Sequence, residues 1–328
     1  MYYKRVIAAH FEQKIMVGGP LRWLVDYVKA HDDLDLLIGK NKQEEYLHVY
    51  RGLTKIVTII PTSAADTVNL KTADAYKSIS PSLAGRKTLS DITEAEIEAI
   101  RKSLAAKGTA DRYYGNKKEG YYQNELSRMF GLYSRADSDF IILDKEAVVG
   151  YKDEEEKARL FGPLHGEYKE LQKKISKRNP ERYGRDLVKK SIGNELDFLA
   201  VDKNGDILLM ELKHGTNTSG IYLSPLQIGL YLQIFNMLPW GVFQRAVTDM
   251  FDQKRKIGLI NSDWKMPELS RKIIPILIVA EPNQSSSAYE KFCEILDFCR
   301  QEKGPDFLQE LRTMAYTTDT GLTVWGES

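Results

Sequence analysis

Residues 194–213 read NELDFLAVDKNGDILLMELK, and this stretch carries the fold prediction for the chain. Two apolar segments flank the turn-forming tripeptide Lys203-Asn204-Gly205, which is the pattern of a β-hairpin. Each segment nevertheless carries an acidic residue inside its apolar run, at Asp197 and at Glu211. Because burying a charge is costly unless it is paired or coordinates a metal, these acids indicate a built site.

The length of the turn sets which side chains face each other across this hairpin. Side chains alternate between the two faces of a strand, and a three-residue loop pairs Asp202 with Asp206. That register places Asp197 opposite Glu211, whereas a two-residue Asn204-Gly205 turn puts the two acids on opposite faces. Directly opposed carboxylates repel each other, and a divalent cation between them makes such a pair tolerable.

The same register gives Glu195 a second interpretation. It places Glu195 opposite Lys213, where the two side chains can form a cross-strand ion pair worth less than ~1 kcal/mol if it is exposed. This ion pair accounts for Glu195 without any function. It leaves Asp197 against Glu211 unexplained.

The chain as a whole limits the classes of protein to which this site can belong. Its 328 residues are too many for one ordinary core, so we expect two domains, over 1–152 and 153–328. A net charge of +1 means that any nucleic-acid surface is a local patch. No apolar run approaches a membrane span, and the spacing of Cys293 and Cys299 puts them on different faces of a helix. We therefore expect a soluble cytoplasmic protein with no membrane partner.

Secondary-structure signals before residue 152 mix helices and strands. The clearest is a Thr-x-x-Glu capping box at Thr93 and Glu96, which predicts the start of a helix. The predicted elements are a helix over 20–30, hairpin strands over 46–50 and 55–60, helices over 93–107 and 124–133, and hairpin strands over 140–143 and 147–149.

After residue 152 the predicted order is helix, three strands, helix and strand. The acidic run 153–156 is either a linker or the solvated start of the first helix. The predicted elements are a helix over 160–177, a strand over 187–192, the hairpin of 194–213, a helix over 225–237 and a strand over 272–280. Helices over 287–300 and 306–314 and a strand over 322–325 complete the prediction.

Asp197 followed by Glu211-Leu212-Lys213 resembles the signature of the PD-(D/E)XK nuclease superfamily, which includes restriction endonucleases, Holliday-junction resolvases and λ-exonuclease-like enzymes. The resemblance covers roughly residues 160–280, and Leu196 stands where the family name has Pro, a position that varies widely. It implies a restriction-endonuclease-like αβββαβ core with a mixed sheet, within an α/β protein of the α+β kind. A separate mixed α/β N-terminal domain would precede it.

The resemblance also implies roles for these residues. Asp197 and Glu211 would bind Mg²⁺, or Mn²⁺ in its place, with help from the carbonyl of Leu212, and Lys213 would orient and activate the attacking water. The chemistry agrees, because hard cations prefer carboxylate and carbonyl oxygens. A metal generates hydroxide and stabilises charge during phosphodiester hydrolysis, and a lysine adds positive charge in the transition state.

Two helices offer further candidates through the same resemblance. Glu167 matches the acid on the first core helix that completes the metal site in many superfamily members, although a solvated helix position also explains it. Gln227 and Tyr231 resemble a Gln-x-x-x-Tyr pattern in which the Gln approaches the metal-bound water or the DNA. The alternative is a capping box over 224–227, which explains Gln227 by capping and leaves Tyr231 to core packing.

A basic run precedes the hairpin. Between Lys169 and Lys190 nine Lys and Arg residues meet three acids, a local excess of +6 in a nearly neutral chain. Such a run is often only a solvated face, but its place before the acidic site predicts a phosphate-binding surface. The residues assigned to nucleic-acid binding are Lys173, Lys174, Lys177, Arg178, Arg182, Arg185, Lys189 and Lys190.

The sequence therefore predicts a metal-dependent nuclease that hydrolyses DNA. A defence or restriction-type endonuclease is favoured over a recombination or repair nuclease, because the N-terminal domain can supply recognition or dimerisation. Symmetric duplex cleavage would require a homodimer. A catalytically inactive nucleic-acid-binding module of the same fold is the alternative, and the intact Asp, Glu and Lys disfavour it. An unrelated nucleotide enzyme is disfavoured because no Gly-rich loop follows a strand.

Overall fold

The computed structural model describes residues 1–106, 114, 117–183, 187, 191–193 and 195–326. The chain divides into two compact units, each built from separate segments. The N-terminal unit comprises Lys4–Asp144 and Gln244–Met266, and the C-terminal unit comprises Met1–Tyr3, Lys145–Phe243 and Pro267–Ser328. This interleaved division replaces the single boundary expected between residues 152 and 153.

Long-range hydrogen bonds explain why the units interleave. The side-chain amide of Gln253 makes two hydrogen bonds of 2.9 Å with the backbone of Ile7, which ties the later segment to the N-terminal unit. Tyr2 forms a bridge with Gly150, which ties the first residues to the C-terminal unit. A boundary drawn from composition assumes continuous domains and cannot anticipate such exchanges.

The N-terminal unit contains a five-stranded antiparallel sheet whose strands are in chain order. The strands are β1 (Asp35–Lys40), β2 (Glu45–Arg51), β3 (Thr54–Pro61), β4 (Thr67–Lys71) and β5 (Gly85–Thr88). The helices are α1 (Ala9–Ile15), α2 (Arg22–Ala30), α3 (Asp74–Lys77), α4 (Glu94–Ala106) and α5 (Glu119–Ser127), which continues into a π-helical turn over Arg128–Leu132. Short 3₁₀ turns lie at Pro81–Leu83 and Leu89–Asp91.

Local signals predicted much of this unit correctly. The β2–β3 hairpin forms as predicted, with Gly52 at a φ of +58° in its turn. The helix start predicted at Thr93 is confirmed, and the Glu96 carboxylate reaches back to accept hydrogen bonds of 3.2 Å from both the backbone and the hydroxyl of Thr93, the glutamate half of a capping box. The core of the unit gathers the apolar side chains of α1, α2 and α4 with those of the sheet.

The C-terminal unit is built around a six-stranded mixed sheet. Its helices are α6 (Glu154–Arg178), α7 (Pro180–Tyr183), α8 (Thr218–Asn236) and α10 (Ala288–Lys303), while α9 (Trp240–Ile257) begins in this unit and belongs from Gln244 onward to the N-terminal unit. Its strands are β6 (Phe140–Ala147), β7 (Leu196–Asp202), β8 (Ile207–His214), β9 (Ile273–Ala280), β10 (Arg312–Thr317) and β11 (Gly321–Val324). The division between the units falls within β6 and within α9.

The order of this sheet is β11-β10-β9-β8-β7-β6. β8, β9 and β10 are parallel to one another, while β7 pairs with β8, and β11 with β10, in antiparallel fashion. Helices α6, α8 and α10 pack against one another, and α8 also packs against β8 and β9. The mixed α/β class predicted from the sequence is confirmed.

The hairpin register is the prediction that the structure bears out most directly. β7 and β8 pair Phe198 with Met210 and Val201 with Ile207, which is the register of a three-residue loop. Gly205 has a φ of +81°, and the backbone N–H of Asp202 donates to the carbonyl of Asp206 at 3.1 Å. Continuing the same register by one residue places Asp197 opposite Glu211.

The described residues of the segment 187–192 do not form the first strand of the expected αβββαβ core. Leu187 and residues 191–193 lie outside any strand, and residues 188–190 lie outside the described part of the chain. The place beside β7 belongs to β6, which precedes α6 in the sequence. The specific restriction-endonuclease-like order is therefore not confirmed.

Two further predictions were wrong because tertiary contacts override local turn signals. The hairpin expected over 140–149 is the single strand β6, and Asp144, expected in a turn, is buried and accepts a hydrogen bond of 2.6 Å from Arg5. The helix expected over 306–314 is absent from these described residues. Part of that segment forms β10, which completes a parallel pair with β9.

Helix α8 begins earlier than predicted, at Thr218, with the side chain of Asn217 accepting a hydrogen bond from the backbone of Gly220. The capping box expected over 224–227 is therefore wrong. Pro225 lies inside the helix and has no N–H to donate to the carbonyl of Ile221. The hydroxyl of Ser224 donates to that carbonyl at 2.7 Å and satisfies it.

None of the described helices is both long enough and apolar enough to cross a membrane.

Candidate active site

Glu211 and Lys213 form a buried pair on one face of β8. The apolar run from Ile207 to Met210 forms the strand, and side chains two residues apart share a face, so both point the same way. The side chain of Glu211 is 1% exposed and that of Lys213 is 9% exposed. The ammonium group of Lys213 forms an ion pair with the Glu211 carboxylate and also donates to the carbonyl of Leu212 at 3.1 Å.

Asp197 reaches the same peptide from the neighbouring strand. Its carboxylate accepts a hydrogen bond of 2.8 Å from the backbone N–H of Leu212. Asp197 is half-buried at the start of β7, so it faces less desolvation than Glu211. The two acids and the lysine predicted from the sequence are therefore brought together around one peptide, that of Leu212.

This arrangement offers a cation hard oxygen ligands. Two carboxylates and the Leu212 carbonyl are oxygen donors of the type that Mg²⁺ and Mn²⁺ prefer. A cation already bridges two of these groups, because the Lys213 ammonium bonds both Glu211 and the Leu212 carbonyl. The donor set therefore fits a divalent metal ion. Among the described residues no group of three or more acidic, histidine or cysteine side chains is placed to hold a metal ion, so such an ion would rely on the carbonyl and on water.

Glu167, expected as a third acid of the site, is elsewhere engaged. Its carboxylate forms an ion pair of 2.7 Å with Lys303 of α10, and its side chain is 51% exposed. It joins no cluster with the two acids in the described chain. The sequence could not reveal this, because Lys303 lies far along the chain and becomes a neighbour only through the packing of α6 on α10.

Gln227 and Tyr231 lie one turn apart on α8, close to Glu195, the residue that precedes β7. The side-chain amide of Gln227 donates to the Tyr231 hydroxyl at 2.9 Å, and that hydroxyl donates to the carbonyl of Glu195 at 2.7 Å. Burial of Tyr231, followed by the negative charge of Glu211, raises the pKa of its hydroxyl. The sequence ranked Gln227 above Tyr231, yet Tyr231 is the residue that bonds the strand.

Most of the predicted nucleic-acid-binding residues in the described chain pair with acids or an amide. Lys174 pairs with Glu302, Arg182 binds Glu294 at 2.6 Å and Glu290 at 3.0 Å, and Arg178 donates to Gln301 at 3.2 Å. We call these contacts between α6–α7 and α10 the charge seam. The charge seam neutralises part of the excess positive charge that the sequence suggested for this segment.

The remaining basic residues fall into two groups. Lys173 pairs with Glu170 at 2.5 Å on the exposed surface of α6, and Lys177 is exposed without an ion pair in the described chain. Arg185, Lys189 and Lys190 lie outside the described residues. Lys177 is therefore the clearest remaining candidate for a phosphate contact on α6.

Comparison of the chain with models of protein families, with curated proteins and with solved structures finds no match.

Proposed function

We propose that this protein is a metal-dependent nuclease that hydrolyses phosphodiester bonds in DNA. The observation that carries the proposal is the gathering of Asp197, Glu211 and Lys213 around the peptide of Leu212. We also propose that the C-terminal unit is a variant of the PD-(D/E)XK core, in which β6 replaces the strand expected between α6 and β7.

The chemistry of the site supports hydrolysis. A divalent ion held by Asp197, Glu211 and the Leu212 carbonyl would lower the pKa of a bound water and neutralise charge on the phosphate. Lys213 lies beside these oxygens and can hold the attacking water or the phosphate through its three donors. Its burial among protein groups strengthens these electrostatic interactions.

Support for a nucleic-acid substrate is separate from support for the chemistry. It comes from the exposed basic residues of α6, chiefly Lys177. The sequence also lacks the Gly-rich loop that encloses the phosphates of a small nucleotide. A polyanion needs such open positive charge along its backbone, whereas a small nucleotide is usually enclosed. DNA is accordingly the substrate that we propose to test first.

The test is a cleavage assay on single-stranded, duplex and branched DNA and on RNA, in Mg²⁺, in Mn²⁺ or in EDTA. We expect cleavage that requires metal, and its loss in Lys213→Ala while DNA binding is retained. Lys203→Ala is the matched control, because it removes an exposed lysine from the turn of the same hairpin.

The outcomes separate the proposed enzyme from an inactive binding module. DNA binding by the wild-type protein without cleavage in either metal would indicate the inactive module. Cleavage that persists in EDTA, or an equal loss in Lys203→Ala and Lys213→Ala, would contradict the proposed site.

A further inference from the structure

Two side chains of α8 hold the entry to β7. Tyr231 is 2% exposed, and its hydroxyl donates a hydrogen bond of 2.7 Å to the backbone carbonyl of Glu195. Gln227, one helical turn earlier, donates to the same hydroxyl oxygen at 2.9 Å. The hydroxyl thus accepts one bond and donates another, so its orientation is fixed from both sides.

Gly193 brings the backbone close to this pair. A Cβ atom at Gly193 would lie 2.5 Å from the Gln227 amide nitrogen and 2.8 Å from the Tyr231 hydroxyl oxygen. These distances are shorter than van der Waals contact, so only a glycine lets the chain pass so near. The amide and the hydroxyl therefore lie close to the main chain at Gly193, and the hydroxyl also bonds the carbonyl of Glu195.

Asp197 lies at the end of β7, next to the main chain that Tyr231 bonds. The pair nearest to the start of β7 in its ladder with β8 joins Phe198 to Met210, which leaves Asp197 at the strand end. Strand ends open more readily than strand centres. The Asp197 carboxylate is fixed by the Leu212 N–H, and the main chain two residues earlier is fixed by Tyr231.

The hydroxyl of Tyr231 keeps its proton under ordinary conditions. Burial and the nearby negative charges of Glu211 and Asp197 raise its pKa further above the neutral range. It therefore remains a hydrogen-bond donor to the Glu195 carbonyl over the whole pH range in which an enzyme of this kind would be assayed.

We propose that Tyr231, oriented by Gln227, is a positioning residue that holds Asp197 in the geometry needed to bind a divalent metal ion. It acts through the backbone of Glu195 and has no contact with the reacting atoms. This inference rests on the proposed function, because it assigns Asp197 to a metal site. It also changes the interpretation of Gln227, which acts on Tyr231 instead of on water or DNA.

The test compares two buried tyrosines. Tyr231→Phe removes the bond to Glu195, whereas Tyr168→Phe removes a hydroxyl that is equally buried and has no hydrogen-bond partner in the described chain. Calorimetric titration with Mn²⁺ in the absence of DNA measures metal affinity independently of catalysis. We expect Tyr231→Phe to bind Mn²⁺ about 10- to 100-fold more weakly, as is usual when a residue that orients a metal ligand is lost. Tyr168→Phe should bind as the wild type does.

Activity gives a second readout that a purely structural role would not produce. If Tyr231 positions a metal ligand, raising the Mn²⁺ concentration restores cleavage by Tyr231→Phe, with little change in the KM for DNA. A general loss of folding would lower the active fraction at every metal concentration. Circular dichroism and the melting temperature establish that the variants compared are folded.

Gln227→Met tests the order of action and substitutes for Tyr231→Phe if that variant does not fold. Because Gln227 acts through the tyrosine, we expect a smaller loss of Mn²⁺ affinity in the same direction. The double variant should be no weaker than Tyr231→Phe alone. Additive losses would overturn this order and return Gln227 to a direct role.

The remaining outcomes distinguish the inference from the proposed function. If the wild type binds Mn²⁺ and cleaves DNA, and Tyr231→Phe matches it in both, the positioning role is wrong and the nuclease proposal stands. If the wild type binds no divalent ion, both are wrong.

Discussion

Each unit contains a cluster of charged side chains, and the two clusters differ in what their carboxylates contact. In the N-terminal unit Asp33 accepts hydrogen bonds from Arg51 at 2.8 Å and Arg101 at 2.7 Å, and Arg101 also binds Glu98 at 3.1 Å. We call these four residues the Asp33 network. In the C-terminal unit Lys213 forms an ion pair with Glu211 and donates to the Leu212 carbonyl, while Asp197 accepts a hydrogen bond from the Leu212 N–H.

This difference separates a structural cluster from a candidate site. Each carboxylate of the Asp33 network pairs directly with two cations, because Asp33 meets Arg51 and Arg101 while Glu98 meets Arg101 and Lys102. At the hairpin, two carboxylates and the Leu212 carbonyl gather around one peptide, and such oxygen donors are the ligands that a divalent cation prefers. This convergence of oxygen donors is the physical reason to test for a metal ion at the hairpin and not at the Asp33 network.

The largest effect is expected from neutralising a carboxylate at the hairpin. Glu211→Gln removes a proposed metal ligand, and we expect cleavage to fall about a thousandfold or more, which corresponds to about 4 kcal/mol of transition-state stabilisation. Single-turnover cleavage measures the loss. Glu310→Gln, which removes an exposed acid paired with Lys272, is the control and should leave the rate unchanged. Equal rates in Glu211→Gln and the wild type would refute the metal site.

The second effect concerns the contribution of the Asp33 network to stability. Asp33→Asn leaves two guanidinium groups near each other without their shared carboxylate, and we expect the free energy of unfolding to fall by about 3 kcal/mol. Urea denaturation followed by circular dichroism measures it. Asp26→Asn, at an exposed i,i+4 pair with Arg22, should cost less than about 0.5 kcal/mol. If both variants were equally stable, the Asp33 network would not have the structural role inferred here.

A smaller effect concerns DNA binding, where a lysine without an ion pair is compared with an arginine that is paired with acids. Lys177 is exposed without an ion pair in the described chain, whereas Arg182 is held by Glu290 and Glu294 in the charge seam. We expect Lys177→Ala to lower the slope of log affinity against log salt by about 0.9, the value for one phosphate contact. Arg182→Ala should leave the slope nearly unchanged. Fluorescence anisotropy at several salt concentrations measures both, and the reverse ranking would contradict the neutralisation of Arg182.

The smallest effect is the pH dependence of the stability that Glu98 of the Asp33 network contributes. The hydrogen bond from the Tyr27 hydroxyl, followed by contacts with Arg101 and Lys102, lowers the pKa of Glu98 to about 2. A carboxyl whose pKa is depressed in the folded state adds stability above its unfolded pKa, which is about 4.3, and loses it as pH falls toward the folded value. The stability difference between the wild type and Glu98→Gln should therefore shrink between about pH 4.5 and pH 2. Urea denaturation across this range tests it, and a difference that grows on acidification would reverse the assigned sign.

The prediction of the hairpin register succeeded because the information was local. The register that places Asp197 near Glu211 depends on Gly205, which adopts a φ of +81°, and on alternation along two adjacent strands. The same local logic gave the helix start at Thr93. It did not anticipate the ion pair of Glu167 with Lys303, which is distant in sequence. It also failed at Pro225, because no rule for helix starts anticipates that the Ser224 hydroxyl replaces the missing N–H.

The sequence by itself determined the hairpin, its turn and the meeting of two acids with a lysine, because turn geometry and strand alternation act over a few residues. Only the tertiary structure decided which strand lies beside β7, how the charge seam offsets the basic run, and that Tyr231 holds the strand carrying Asp197. Those outcomes depend on side chains far apart in the chain. Their pairing is set by the packing of α6, α8 and α10 in the C-terminal unit, which no local pattern encodes.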